Sequence, residues 1–254
     1  MPVAINCDMG EGFGLYAMGN DAGIMPFITE ANVACGYHAS DPNHMRSTVA
    51  LAREHGVKVG AHFSLPDLPG FGRREMKIER AELANIVTYQ VGALQAFIQA
   101  EGLTLSHLKP HGALYGMAAR TEHVAHAIAD ATARFEVPIF GLSGTLHEEI
   151  YSARGMEFRP EYYADLEYDD QGGLIITREH EAIDAEAAAE RCVRAVEEGL
   201  TRSRSGTDIP VKAATICIHS DTPNAVEVAR TINAALGSRI DKRPGASVNN
   251  PNGG

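Results

Sequence analysis

Residues 213–221 read AATICIHSD. The first six are apolar or β-prone without a polar alternation, and His219 and Asp221 follow at once. Pro223–Leu236 then returns to a helical pattern. A strand with no polar face is covered on both sides, as in a parallel sheet flanked by helices. Polar groups at its C-terminal end fall where such sheets bind ligands.

Working outward, the same grammar recurs along the chain. Val3–Cys7, Asn32–Cys35, Val57–Ala61, Leu105–Lys109, Val137–Leu142, Glu157–Tyr163 and Ala213–Ile218 read as seven strands, with VPIFGL as apolar as AATICI. Helical stretches lie between them at Asn43–His55, Arg80–Glu101, Glu122–Ala133, Ala185–Glu198 and Pro223–Leu236. Apolar steps of three and four mark Arg80–Glu101, which runs to Gly102 as its C-cap. Asp41-Pro42 and Asp221-Thr222-Pro223 read as helix starts. Repeated strand–helix alternation predicts an α/β fold with a parallel sheet, and seven units favour closure into a (β/α) barrel over an open sheet. No linker or internal repeat divides the chain. The expectation is one barrel domain over residues 1–236, with a flexible C-terminal tail over 237–254, where GSRIDKRPGASVNNPNGG loses apolar periodicity.

Polar residues crowd the strand ends. Asn6, Asp8 and Glu11 follow the first strand, His38 and Asp41 the second, His62 and Asp67 the third, and Lys109 and His111 the fourth. Asp165 follows the sixth, and His219 and Asp221 the last. One histidine after a strand is commonly a cap or a satisfied core residue; the recurrence at strand after strand argues for one shared cleft. Arg73 and Arg74 in GFGRR are candidates to grip a carboxylate or phosphate, with a solvated surface as the plain reading.

Composition excludes several classes. The chain has 254 residues and a net charge of −11, 44% of its residues are hydrophobic, and it lacks tryptophan. A general nucleic-acid or anionic-membrane binder needs a basic face. No apolar run approaches the roughly 18 residues of a membrane span, and the start lacks a secretory signal, so a cytoplasmic location is the default expectation. Cys7, Cys35, Cys192 and Cys217 stand far apart, which predicts reduced, buried thiols. There is no GxxxxGK[ST] phosphate loop and no GxSxG nucleophile elbow.

Several long segments together resemble the LamB/YcsF family, the A-type subunits of 5-oxoprolinase: NCDMGEGFG, GNDAGIMPFITEANVACGYHASDP, GVKVGAH, PDLPGFGRREM, YQVGALQAF, HLKPHGALY and ICIHSDTPNAVEVAR. The resemblance implies a seven-stranded barrel akin to that of polysaccharide deacetylases. It also implies opening of the lactam 5-oxoproline to glutamate, with ATP as co-substrate and two partner subunits of B and C type. The chain departs from the family pattern at GAHFSLPDL (for GAHPGYPDL), at Ala164-Asp165-Leu166 (for ADR), at His180-Glu181-Ala182 (for PGA) and at His219-Ser220-Asp221 (for HGD). These changes bear on the pocket rather than the fold.

Such chemistry needs a base for water, a cation for developing negative charge and an acid for the departing nitrogen. Asp8 or Glu11 is the expected base and Lys109 the electrostatic stabiliser, with His38, His62 and His111 around the reacting group. Asn6, Arg73, Arg74, Asp165, His219 and Asp221 are expected on the substrate. Two alternatives stay open. One is metal-dependent amide hydrolysis by the chain alone, with a divalent ion on Asp8, His38 and His62. The other is a non-catalytic substrate-binding subunit.

Overall fold

A computed structural model of the chain describes residues 2–175 and 181–241. Seven parallel strands close into a barrel: β1 (Ala4–Met9), β2 (Glu30–Ala34), β3 (Lys58–Phe63), β4 (Leu105–Pro110), β5 (Ile139–Gly141), β6 (Phe158–Tyr163) and β11 (Thr215–His219). Neighbours in sequence are neighbours in the wall, and β11 closes it by pairing with both β6 and β1. On the closing seam Asp8 stands in register with His219.

Helices cover the outside: α1 (Asp21–Ile24), α2 (Pro42–His55), α3 (Arg80–Ala100), α4 (Gly112–Arg120), α5 (Glu122–Thr132), α6 (Leu146–Ala153), α7 (Ala185–Glu198) and α8 (Ala225–Leu236). Asp41 caps α2 as expected, accepting from the Asn43 and His44 amides with Pro42 in the first turn. Gly102 takes φ +70° just beyond α3, and Leu103 N–H closes back on the Ile98 carbonyl. The Asp221 signal works differently: α8 begins at Ala225 with Asn224 as its cap, and Asp221 is spent on Arg73. Helices α1, α4 and α6 and two small ribbons, β7 (Glu167–Tyr168) with β8 (Leu174–Ile175) and β9 (Leu200–Arg202) with β10 (Asp208–Pro210), were not anticipated. They are too short for periodicity to show.

The strands are not apolar on both sides. Outward residues such as Ile5, Cys7, Met9, Ala31, Val33, Leu108, Ile216 and Ile218 pack under the helices and are buried. Alternate residues form a hydrogen-bonded lumen: Asn6 Nδ2 donates to Thr215 Oγ1 at 2.8 Å, and Asn32 Nδ2 to Asn6 Oδ1 at 2.7 Å. His107 Nε2 lies 2.8 Å from Asn32 Oδ1, and Arg159 donates to Glu30 at 2.7 Å. The two-residue period of a strand puts one set on each face, and buried polar groups persist because they satisfy one another.

All four cysteines are free and buried, as expected. No helix among the described residues is long and apolar enough to cross a membrane. The anticipated tail is described only as far as Asp241. Over that span Gly237–Arg239 makes a 3-10 turn, Ile240 bridges to Val3, and Asp241 pairs with Lys58 at 3.6 Å. Residues 242–254, and His180 among the departures noted above, lie outside the described residues.

Candidate active site

A cavity of about 250 Å³ opens at the C-terminal end of the barrel. Asp8, His62, Lys109, His111 and His219 line it together with Arg73 and Tyr163. Together they come from, or just after, several different strands, which is how parallel barrels assemble sites.

Lys109 sits at the floor, fully buried. Its ammonium lies 2.8 Å from Asp8 Oδ1, 3.0 Å from Glu161 Oε1 and 3.0 Å from Cys217 Sγ. Burial works to discharge it, but Asp8, Cys217 and Glu161 outweigh that and hold its pKa well above the usual lysine value. Burial likewise tends to raise the Asp8 carboxyl, yet His62 and Lys109 hold it well below the ordinary range, and Asn32 Nδ2 donates to it at 2.8 Å. Asp8 and Lys109 therefore face the cavity as a fixed anion and cation.

His219 forms a second unit. Asp165 accepts from the His219 backbone N–H at 2.7 Å and from Nδ1 at 2.9 Å. Burial pulls the imidazole down, but Asp165 more than compensates and lifts its pKa to about 9. A protonated imidazolium thus stands on the wall, with Nε2 3.8 Å from Asp8 Oδ2.

The third unit is a histidine cluster. His62 Nδ1 faces the Lys109 carbonyl oxygen at 3.1 Å, and His111 Nε2 faces the Phe71 carbonyl oxygen at 2.8 Å. Their other nitrogens, His62 Nε2 and His111 Nδ1, meet at 2.9 Å. His38 Nε2 lies 2.9 Å from Glu11 Oε1, and its ring stacks on His111 at 3.8 Å. Burial pushes the pKa values of His38 and His111 well below the ordinary histidine value and that of Glu11 well above the carboxylate range. Gly72, at φ +64°, lays its loop against this cluster; a Cβ there would fall 2.8 Å from His38 Cβ and 2.9 Å from His111 Cδ2.

Most sequence-derived candidates converge. Asp8, His62, Lys109, His111, Arg73 and His219 line the cavity, while Glu11 and His38 lie immediately behind His62 and His111. Asn6, Asp165 and Asp221 act one step back: Asn6 lies under Lys109 at 3.4 Å, Asp165 grips His219, and Asp221 holds Arg73 at 2.8 Å. Arg74 is not on the cavity wall, because the buried Asp67 carboxylate captures its guanidinium in the loop after β3. Of the expected metal ligands Asp8, His38 and His62, His62 Nε2 stands 3.2 Å from Asp8 Oδ2 and its ring meets the His38 ring edge-on at 5.3 Å. Asp8 Oδ1 meets Lys109 and Asn32, and among the described residues two groups gather their donor atoms: Glu11, His38, His62 and His111, and Asp8, Cys217 and His219.

Glu161, Asn32, Cys217 and Tyr163 were missed. Glu161 carries a signal in retrospect, as a lone carboxylate inside the otherwise β-prone FRPEYY. Leu166, at the position where the family pattern has arginine, joins Leu174 as an apolar stretch of the wall.

Fold and site together define a seven-stranded (β/α) barrel protein with a strand-end cavity carrying a fixed anion, a buried cation and a charged imidazolium. Residues 3–248 match the LamB/YcsF family, and the chain belongs to it. The chain is 46% identical over 238 residues to the 5-oxoprolinase A-type subunit of Bacillus licheniformis, covering 92% of this chain and 94% of that one. It is 43% identical to the lactam utilization protein lamB of Emericella nidulans, covering 89% and 91%. The crystal structure of a lactam utilization protein from Thermus thermophilus superposes with a TM-score of 0.85 at 43% identity, covering 93% of this chain and 96% of that one.

Proposed function

We propose that this protein is a hydrolase that opens 5-oxoproline, or a closely related lactam, to the amino acid, using ATP as co-substrate. In this reading it works in the cytoplasm within a complex that includes B- and C-type partners. The names of its full-length relatives support the lactam and the membership of a complex. The observation that carries the chemistry is the placement of opposite proton-transfer groups on one small cavity: Asp8 held ionised, His219 held protonated, and Lys109 beside Asp8.

A five-membered lactam resists water because its amide is resonance-stabilised and its nitrogen leaves poorly. Transfer of the ATP γ-phosphoryl to the carbonyl oxygen makes the ring carbon electrophilic. Water then adds to that carbon, and Asp8, or Glu11 behind it, takes the proton. The C–N bond breaks as His219 delivers a proton to nitrogen, and a second water releases phosphate. Lys109, itself buried, stabilises negative charge developing on oxygen. Arg73, at the rim and steered by Asp221, is the group for the substrate carboxylate. The apolar Leu166–Leu174 wall suits the ring methylenes.

The test is glutamate formation from 5-oxoproline by the purified chain mixed with B- and C-type subunits and ATP. Turnover that requires the chain, both partners and ATP supports the reading. Absence of glutamate from a mixture in which every component is folded sinks it. Turnover by the chain alone, without ATP, would favour a stand-alone amidohydrolase.

A further inference from the structure

The cluster behind the cavity turns the donor atoms of three imidazoles and one carboxylate toward one another, all within 4.8 Å. A carbonyl oxygen only accepts, so the nitrogens facing the Lys109 and Phe71 carbonyls carry the hydrogens of His62 and His111. In the neutral rings His62 Nε2 and His111 Nδ1 are then both lone pairs 2.9 Å apart, with Asp8 Oδ2 3.2 Å from His62 Nε2, and a proton or a metal ion held there relieves their repulsion. Glu11 Oε1, another acceptor, stands 3.6 Å from the second and 4.0 Å from the first. His38 Nε2 lies 2.9 Å from the same oxygen. All four residues are nearly or completely buried, so water does not dilute the repulsion.

We infer that Glu11, His38, His62 and His111 form a binding site for one divalent transition-metal ion. A cation among the converging lone pairs turns mutual repulsion into coordination. Ligands about 2.0–2.1 Å from a tetrahedral ion stand roughly 3.3 Å apart; four of the six donor separations are 2.9–4.0 Å, and all six fall within 4.8 Å. Three imidazoles with one carboxylate suit zinc and its neighbours rather than magnesium or calcium, which favour oxygen. The two backbone carbonyls that fix His62 and His111 are the outer groups that ordinarily orient metal-bound histidines. His62 and His111 also line the cavity, so the ion would adjoin the reacting group and supply Lewis-acid polarisation there. The inference rests on the lactam-hydrolase reading only for what the ion does, not for whether it binds.

The experiment uses the full chain, stripped with chelator and titrated with Co²⁺ alone, read by visible absorption and elemental analysis. The expected result is one ion per chain with the intense bands of a four- or five-coordinate site, displaced by Zn²⁺. Glu11→Gln, close in shape, and His62→Asn, both checked for folding by circular dichroism, should weaken binding at least about 100-fold, the upper end of what loss of a merely orienting group costs. Only the weak spectrum of hydrated Co²⁺, or unchanged binding in the folded variants, would overturn the site. A chain that opens its lactam with partners yet binds no ion defeats this inference and leaves the proposed function standing. A chain that binds one ion but opens no lactam does the reverse.

Discussion

His219 owes its charge chiefly to one neighbour. Burial alone would leave it neutral; with Asp165 beside it, its pKa stands near 9. A folded-state pKa above the ordinary histidine value of 6.5 means that the pairing stabilises the protein fully below about pH 6.5 and is lost as pH rises through about 9. Asp165→Asn should therefore lower the His219 pKa, visible by NMR of the imidazole. It should also shift the alkaline limb of the rate profile to lower pH and remove stability, roughly 3 kcal/mol at most, from the range below pH 9. An unchanged alkaline limb would show that His219 is not the acid. Lys109 differs, since it holds two carboxylates at once. Lys109→Met should reduce turnover about 10²–10³-fold and destabilise the fold by about 3–5 kcal/mol by leaving Asp8 and Glu161 buried without their cation. Denaturant unfolding beside the assay separates the two effects.

Among the elements, β3 and β4 show how tightly the lumen is built. Gly60 on β3 faces His107 on β4, and a Cβ there would lie 2.2 Å from the ring. That ring is pinned by Asn32 and stacked on Phe140 at 4.4 Å, so it cannot swing aside. Gly60→Ala should cost about 1–3 kcal/mol by overpacking, read as a lower denaturant midpoint; an unchanged midpoint would mean the lumen is softer than its hydrogen bonds imply. The contrast between β3 and β6 shows what the sequence displays. Strand-end chemistry is legible because polar residues punctuate apolar runs, and that placed Asp8, His62, Lys109, His111 and His219 together. Glu161, Asn32 and Cys217 sit mid-strand, where neither a turn nor a glycine flags them. Their role depends on barrel closure bringing β1, β4, β6 and β11 to one axis, which no local pattern records. The capture of Arg74 by Asp67 and of Arg73 by Asp221 was equally hidden, since both pairings depend on loop shape.

At the scale of the whole molecule, the segment after α8 returns to the start of the chain. Ile240 is buried beside Val3, and Asp241 pairs with Lys58. Truncation after Leu236 should lower stability by about 1.5–3 kcal/mol through loss of that buried isoleucine, measured as a fall in Tm; truncation after Asp241 should preserve those contacts. Equal Tm values for the two truncations would refute the assignment. The seam between β1 and β11 carries a further consequence for how the protein is made. Asp8 leaves the ribosome early and His219 only after more than 200 intervening residues. Until β11 arrives, the edges of β1 and β6 stay open, each a row of unpaired backbone groups ready to template a foreign strand. A nascent chain is thus both inert and adhesive until its last strand is inserted. The appearance of activity during synthesis would report the moment at which the barrel closes.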